Sequence, residues 1–324
     1  MGRRLSNKVS VVLRTAIGLT LIGGLLWTIG PASLVEGLSD LVFSYLALAV
    51  LAQVAAKVVW ALRWQEILRV SGIDKGLVEL LVVLHIGFFF NNFLPSSMGG
   101  DVVRGYYSAA GRENLAAAYG VVIAERLIGF AALALMCAIA ILVVLLNGTS
   151  QFPSTLLLSA LIGCVAILLG GAVLFFSNLW SFVVNVFARF PKAHQLATEL
   201  GRAMQFTKKP GSRTYRVAAL SMLLQIIGVL FYVASARAVG ISLSTVSFFF
   251  VVPVAVLASM VPISLNGLGL REGALVGLMQ GFGVAVGASG AFAILARLID
   301  FAFALLGGIL FVFAGAPVKR MVKT

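Results

Sequence analysis

Two segments of this chain hold the residues best suited to chemistry: Pro95-Ser96-Ser97-Met98-Gly99-Gly100-Asp101-Val102-Val103-Arg104 and Pro262-Ile263-Ser264-Leu265-Asn266-Gly267-Leu268-Gly269-Leu270-Arg271. Both read P-x-S-x-x-G-x-x-x-R. A Pro-Ser turn followed by Gly reverses the chain in a small volume, and a helix starting behind it offers free backbone N–H groups and a partial positive charge. Add the hydroxyls of Ser96, Ser97 and Ser264, the amides of Asn91, Asn92 and Asn266, and the guanidiniums of Arg104 and Arg271. Each turn then predicts a site for an anion such as phosphate. The planar Arg fork gives a phosphodiester two parallel hydrogen bonds, which a point-charge ion would not need. Asp101, Glu125, Glu272 and Asp300 are read as holding the arginines or carrying a coupling proton, because a charge in hydrocarbon costs several kcal/mol unless paired. Glu125 precedes Arg126, and Asp300 follows Arg297 by three residues, which suits salt bridges within or between helices.

The elements that position these residues must be membrane helices. Of the 324 residues, 61% are hydrophobic and 11% charged, against roughly 45–50% and about 25% in a soluble domain. A crossing takes about 20 apolar residues, so the chain has room for at most about ten passes. No stretch remains for a soluble catalytic domain. Ser-His-Asp, H-E-x-x-H and phosphate-loop patterns are absent, so neither an enzyme nor a cofactor is expected. His85 and His194 are too isolated for a metal site, and Cys137 and Cys164 read as small core residues.

The formal charge is +13, from 24 Lys and Arg against 11 Asp and Glu, and such an excess belongs in cytoplasmic loops beside anionic lipid rather than on nucleic acid. Arg3, Arg4, Lys8 and Arg14 place the N-terminus inside, so residues 11–29 cross outward as a signal anchor to a loop with Glu36 and Asp40. Residues 41–62 return, with Trp60 and Trp64 at interfacial depth and Arg63, Arg69 and Lys75 beyond them. Residues 115–146 exit to an uncharged turn and so must start inside. The stretch 77–112 therefore enters and leaves on one side. Two full spans are the alternative, but Asp101, Arg104 and Arg112 make the returning arm too polar for a helix facing lipid.

Residues 155–176 cross inward to a segment with Arg189, Lys192, Arg202, Lys208, Lys209, Arg213 and Arg216. Within it Leu179, Phe182, Val183, Val186, Phe187 and Phe190 recur at helical spacing, predicting a helix on the inner surface. Residues 217–236 go outward, 246–283 form a second hairpin, and 291–313 return to a cytoplasmic tail, 315–324.

The two hairpins belong to an internal repeat. Upstream of each Pro, Arg69-Val70-Ser71-Gly72-Ile73 matches Arg237-Ala238-Val239-Gly240-Ile241; downstream, Arg126-Leu127-Ile128-Gly129-Phe130 matches Arg297-Leu298-Ile299-Asp300-Phe301. The charge pattern turns the copies upside down, an arrangement that places substrate between repeats. The expectation is an all-α polytopic membrane protein with about six full spans and two re-entrant hairpins in an inverted repeat. Residues 1–324 form one membrane domain: a span and outer loop (11–39), repeat 1 (40–146), a connecting span and basic segment (147–214), and repeat 2 (215–314).

The 91–104 segment, the Glu125-Arg126 pair and the 262–273 segment resemble the lysylphosphatidylglycerol synthase transmembrane, or flippase-like, family. In the large bifunctional members this region is associated with moving aminoacylated phosphatidylglycerol between leaflets, and a separate C-terminal domain makes that lipid. The present chain stops at Thr324 without such a domain, so synthesis is not expected. The resemblance implies a translocase of the bacterial cytoplasmic membrane whose partner is a phospholipid or a polyprenyl-phosphate lipid. The alternatives are a subunit presenting lipid to a separate transferase, or a small-solute exporter.

Overall fold

The computed structural model describes residues 41–93, 99–109, 115–147, 152–176, 179–204, 211–259 and 267–321. The expected first span, both hairpin tips, and Ser96, Ser97, Ser264 and Asn266 lie outside them. Eleven helices and no strand occur among the described residues. They are α1 (Phe43–Val70), α2 (Leu77–Phe93), α3 (Gly99–Ser108), α4 (Leu115–Asn147), α5 (Ser154–Phe176), α6 (Leu179–Val186), α7 (Pro191–Ala203), α8 (Ser212–Ala238), α9 (Thr245–Ser259), α10 (Leu270–Gln280) and α11 (Val286–Met321). Four of them, α1, α4, α8 and α11, are long and apolar enough to cross a membrane. Their exposed positions include Leu48, Leu51, Ile139, Leu142, Leu223, Leu230, Leu305 and Ile309, the apolar exterior that lipid requires. This is a multi-pass membrane protein.

The repeat is written into the backbone. Helices α1 and α8 end in the same turn: Gly72 N–H donates to Arg69 O and Ile73 N–H to Leu68 O, just as Gly240 N–H donates to Arg237 O and Ile241 N–H to Ala236 O. Both glycines have positive φ, 73° and 77°, which a side chain would strain, and the pattern closes the helix by satisfying its last carbonyls. Packing repeats as well. Exchanging α1, α2, α3 and α4 for α8, α9, α10 and α11 turns the contacts α2–α3, α3–α4, α1–α2 and α1–α4 into α9–α10, α10–α11, α8–α9 and α8–α11, all present. The exchange also turns α2–α11 into α9–α4, again present.

The equivalent helices α1 and α8 run antiparallel. Val42 N–H at the start of α1 donates to Ala238 O at the end of α8, while Glu66 near the other end of α1 pairs with Arg213 at the start of α8, 3.6 Å away. A two-fold axis across the helices therefore relates the repeats, which is the inverted relation that the charge pattern implied.

At about 1.5 Å per residue, α3 and α10 are each about 15 Å long, half of a hydrocarbon core of about 30 Å. Each packs against its own preceding helix, α3 on α2 and α10 on α9. Helix α2 also lies tightly against α11, where a Cβ on Gly307 would collide with the backbone carbonyl of His85. Small residues let membrane helices approach this closely. Gly307→Ala must part α2 from α11 and should cost about 1–3 kcal/mol by the usual toll of overpacking. Thermal unfolding in detergent reads this, and an unchanged midpoint would contradict the contact.

Trp60 and Trp64, expected at interfacial depth, pack against neighbouring helices: Trp64 is fully buried, and Trp60 lies edge-on to Phe88 of α2 with ring centroids 5.0 Å apart. Arg63, expected beyond the span, is buried too. The segment read as one amphipathic surface helix is two, because α6 stops at Val186 and Pro191 opens α7. Proline is tolerated at the first helical position, where its missing N–H costs nothing. Phe182, Val186, Phe187 and Phe190 remain exposed, while Ala197, Leu200 and Ala203 of α7 are buried, with Leu200 and Ala203 joining Ala117, Ala118 and Val121 of α4 in one apolar cluster.

Candidate functional site

Each short helix, α3 or α10, meets the following long helix through a crossed pair of salt bridges. In repeat 1, Arg104 of α3 reaches Glu125 of α4, and Arg126 of α4 reaches back to Asp101 of α3. Arg104 also contacts Asp101 at 3.3 Å, and Arg63 of α1 donates to the other oxygen of Glu125 at 3.0 Å. In repeat 2, Arg271 of α10 donates to Asp300 of α11 at 2.7 Å, and Arg297 of α11 donates to Glu272 of α10 at 2.7 Å. Gln53 of α1 donates to the second oxygen of Asp300 at 2.5 Å. Of the salt bridges expected within or between helices, those between helices are seen. Arg104–Asp101 and Arg271–Glu272 are bridges within the short arms themselves.

The arginines occupy matching places in the repeat; the carboxylates do not. Asp101 stands one turn before Arg104, whereas Glu272 directly follows Arg271. Glu125 precedes Arg126, whereas Asp300 lies three residues beyond Arg297. The geometry thus holds four guanidiniums fixed and reaches the same crossed arrangement with differently placed acids. Repeat 1 sets Arg63, Arg104 and Arg126 against two carboxylates, an excess of one positive charge. Burial makes this costly: Glu125 is 1% exposed, Arg104 3% and Arg63 4%. An ion pair out of water is weak evidence for stability, so a surplus cation at such a place points to use.

Aromatic rings back the arginines of both short helices. The Arg104 guanidinium carbon lies 4.2 Å from the Trp64 ring centroid and 5.3 Å from that of Trp60. Arg271 lies 6.0 Å from the Tyr232 ring. When the Arg69 and Arg237 turns are superposed in sequence, Trp64 and Tyr232 fall at the same position, so the cation–π shelf is part of the repeat. In repeat 1 several donors are left over: Nε and Nη1 of Arg63, Nε of Arg104, and the indole nitrogens of Trp60 and Trp64 are buried without a hydrogen-bond partner. An unsatisfied buried donor costs about 1–3 kcal/mol, and a group of them around one guanidinium suits an acceptor-only ligand.

The polar groups expected at the tips are partly committed elsewhere. Asn91 accepts from the Gly100 N–H at 2.7 Å and pins α3 to α2, and Asn92 donates to Phe88 O of its own helix at 2.9 Å. The Gly269 N–H at the start of α10 donates to Glu272 at 2.7 Å, a capping contact. Two backbone N–H groups expected to be free for an anion are therefore used. Arg104 and Arg271 do not meet each other. Trp64 touches the first cluster and Gln53 the second, eleven residues apart on α1, or about 16 Å along a helix.

Arg63, Trp64 and Tyr232 join the clusters although spacing alone does not single them out. The available signal is an arginine placed within the turns of a mostly apolar helix. Comparison with known sequences identifies the group. Residues 11–308 match the family described as the lysylphosphatidylglycerol synthase TM region. The chain belongs to this family. It is 28% identical over 316 residues to a UPF0104 membrane protein of Methanothermobacter thermautotrophicus, an alignment covering 88% of this chain and 89% of the relative. A UPF0104 membrane protein of Pyrococcus horikoshii is 28% identical over 115 residues, covering 35% of this chain and 34% of the relative.

Proposed function

We propose that this membrane protein moves a phosphate-bearing lipid between leaflets, taking the headgroup phosphate at the buried arginine clusters while the acyl chains stay in lipid. The observation that carries this reading is the crossed arginine–carboxylate pair repeated in both halves, with guanidiniums kept in register and acids not. At rest the carboxylates occupy the guanidinium forks. An arriving phosphate replaces them, since its oxygens accept the same charge-assisted hydrogen bonds. The antiparallel relation of α1 and α8 supports alternating access, because exchange of the two halves exposes one cluster and then the other. The short arms α3 and α10, each about half a bilayer long, fit hairpins that enter and leave on one side. We place both termini in the cytoplasm, on the strength of the basic residues at each end of the chain.

Lipids retained through purification test the binding. Mass spectrometry of protein extracted in mild detergent should find a phosphate-bearing lipid enriched over its share of the membrane. Arg271→Gln combined with Asp300→Asn should remove that enrichment. Retained lipid matching bulk composition in both proteins would contradict the reading.

A further inference from the structure

Lys57 is a buried cation that the two clusters leave unused. It is 8% exposed, and among the described residues no carboxylate pairs with it. Its ammonium lies 4.0 Å from the Phe88 ring centroid on α2 and 6.0 Å from that of Trp60 one turn along α1. Trp60 in turn packs against Arg104. On the other side, Gln53, one turn before Lys57, holds Asp300 and so the Arg271 cluster. Gln53, Lys57, Trp60 and Trp64 recur at helical spacing and form one face of α1. That face runs from one cluster to the other with Lys57 between them.

The register of the repeat gives this position meaning. Facing pairs Val42–Ala238 and Glu66–Arg213 fix how α1 lies on α8, and superposing their terminal turns pairs Lys57 with Gln225. By that register a residue faces its own counterpart near residues 56 and 224, so the axis relating the halves passes close to Lys57 and Gln225. Gln225 is occupied, donating to Gly129 O of α4 at 3.2 Å. Lys57 is not. Asp300 attracts the Lys57 ammonium and Arg271 repels it, neither touching it, and the packed rings around it would accept a methionine of nearly the same shape.

We infer that Lys57 is a transit station beside the symmetry axis, holding the lipid phosphate as it passes between the Arg104 and Arg271 clusters. This rests on the translocase reading and adds a route to it. Lys57 breaks a step of about 16 Å between the two arginine clusters into parts of about 6 and about 10 Å along α1. A point charge with rotatable donors suits a brief stop, where a bidentate arginine would hold the phosphate longer.

The full-length protein is reconstituted in phosphatidylcholine vesicles containing fluorescent phosphatidylglycerol and trapped inorganic phosphate. Lys57→Met keeps the aliphatic stem packed on Phe88 and Trp60, so it should melt no lower than wild type while moving the labelled lipid at least tenfold more slowly. Lys57→Arg should keep most of the rate, and trapped phosphate should stay inside with all three proteins. Lys57→Met moving lipid at the wild-type rate overturns the station and leaves the translocase reading standing. An unfolded Lys57→Met also overturns it, since the ammonium would then be structural. Phosphate release that depends on Lys57 replaces the lipid with a free anion. Wild type that moves no lipid removes the reading on which the station depends.

Discussion

Arg271→Gln with Asp300→Asn should slow lipid movement in reconstituted vesicles by about 100-fold or more while leaving the fold intact. The two changes remove one positive and one negative charge together, so no buried charge is stranded. Arg297 keeps Glu272, and the amide that replaces the Asp300 carboxylate still offers an oxygen to Gln53. Neutral replacement of a buried ion pair is commonly tolerated, so the unfolding midpoint should barely change. Function should suffer more, because losing one desolvated charge-assisted contact costs about 2–5 kcal/mol and each ~1.4 kcal/mol is a factor of ten. A double variant that moves lipid as fast as wild type would remove Arg271 from the pathway.

The largest loss of stability should come from Glu125→Gln. Glu125 takes Arg63 on one oxygen and Arg104 on the other, with all three side chains at most 4% exposed. Removing this one acid leaves two buried guanidiniums short of a partner, and Asp101 remains to offset only Arg104. Breaking a buried pair in this way costs about 3–5 kcal/mol. Asp101→Asn should cost less, since Arg126 is 33% exposed and can turn toward water. Unfolding of the detergent-solubilised variants gives the ranking, and a Glu125→Gln protein as stable as Asp101→Asn would show that the network is not the keystone of repeat 1.

Much of this architecture is legible in the residue order because its determinants are local. The matching Arg-x-x-Gly-Ile ends of α1 and α8 announce their identical turns through a glycine that positive φ demands. The P-x-S-x-x-G-x-x-x-R segments place α3 and α10, and the scarcity of charge sets the long apolar helices. The pairing of acids with bases is not local. Glu125 beside Arg126 invites a bridge within α4, yet their side chains point about 100° apart around the helix, so each meets a different neighbour. Arg63 reads as a flanking charge because it follows an apolar run, but α1 continues to Val70 and carries it into the bundle. Lys57 belongs to no motif; its meaning comes from a symmetry axis that only the antiparallel packing of α1 on α8 defines.

The central claim stands most directly on the wild-type protein. Vesicles containing it and a fluorescent phosphatidylglycerol are treated with dithionite, which bleaches only outward-facing label, with and without an imposed proton gradient. The inner-leaflet signal should be lost in at least one of the two conditions, while empty vesicles keep theirs. Protection equal to that of empty vesicles in both, with helical circular dichroism intact, would contradict the claim that these inverted halves carry a lipid phosphate across.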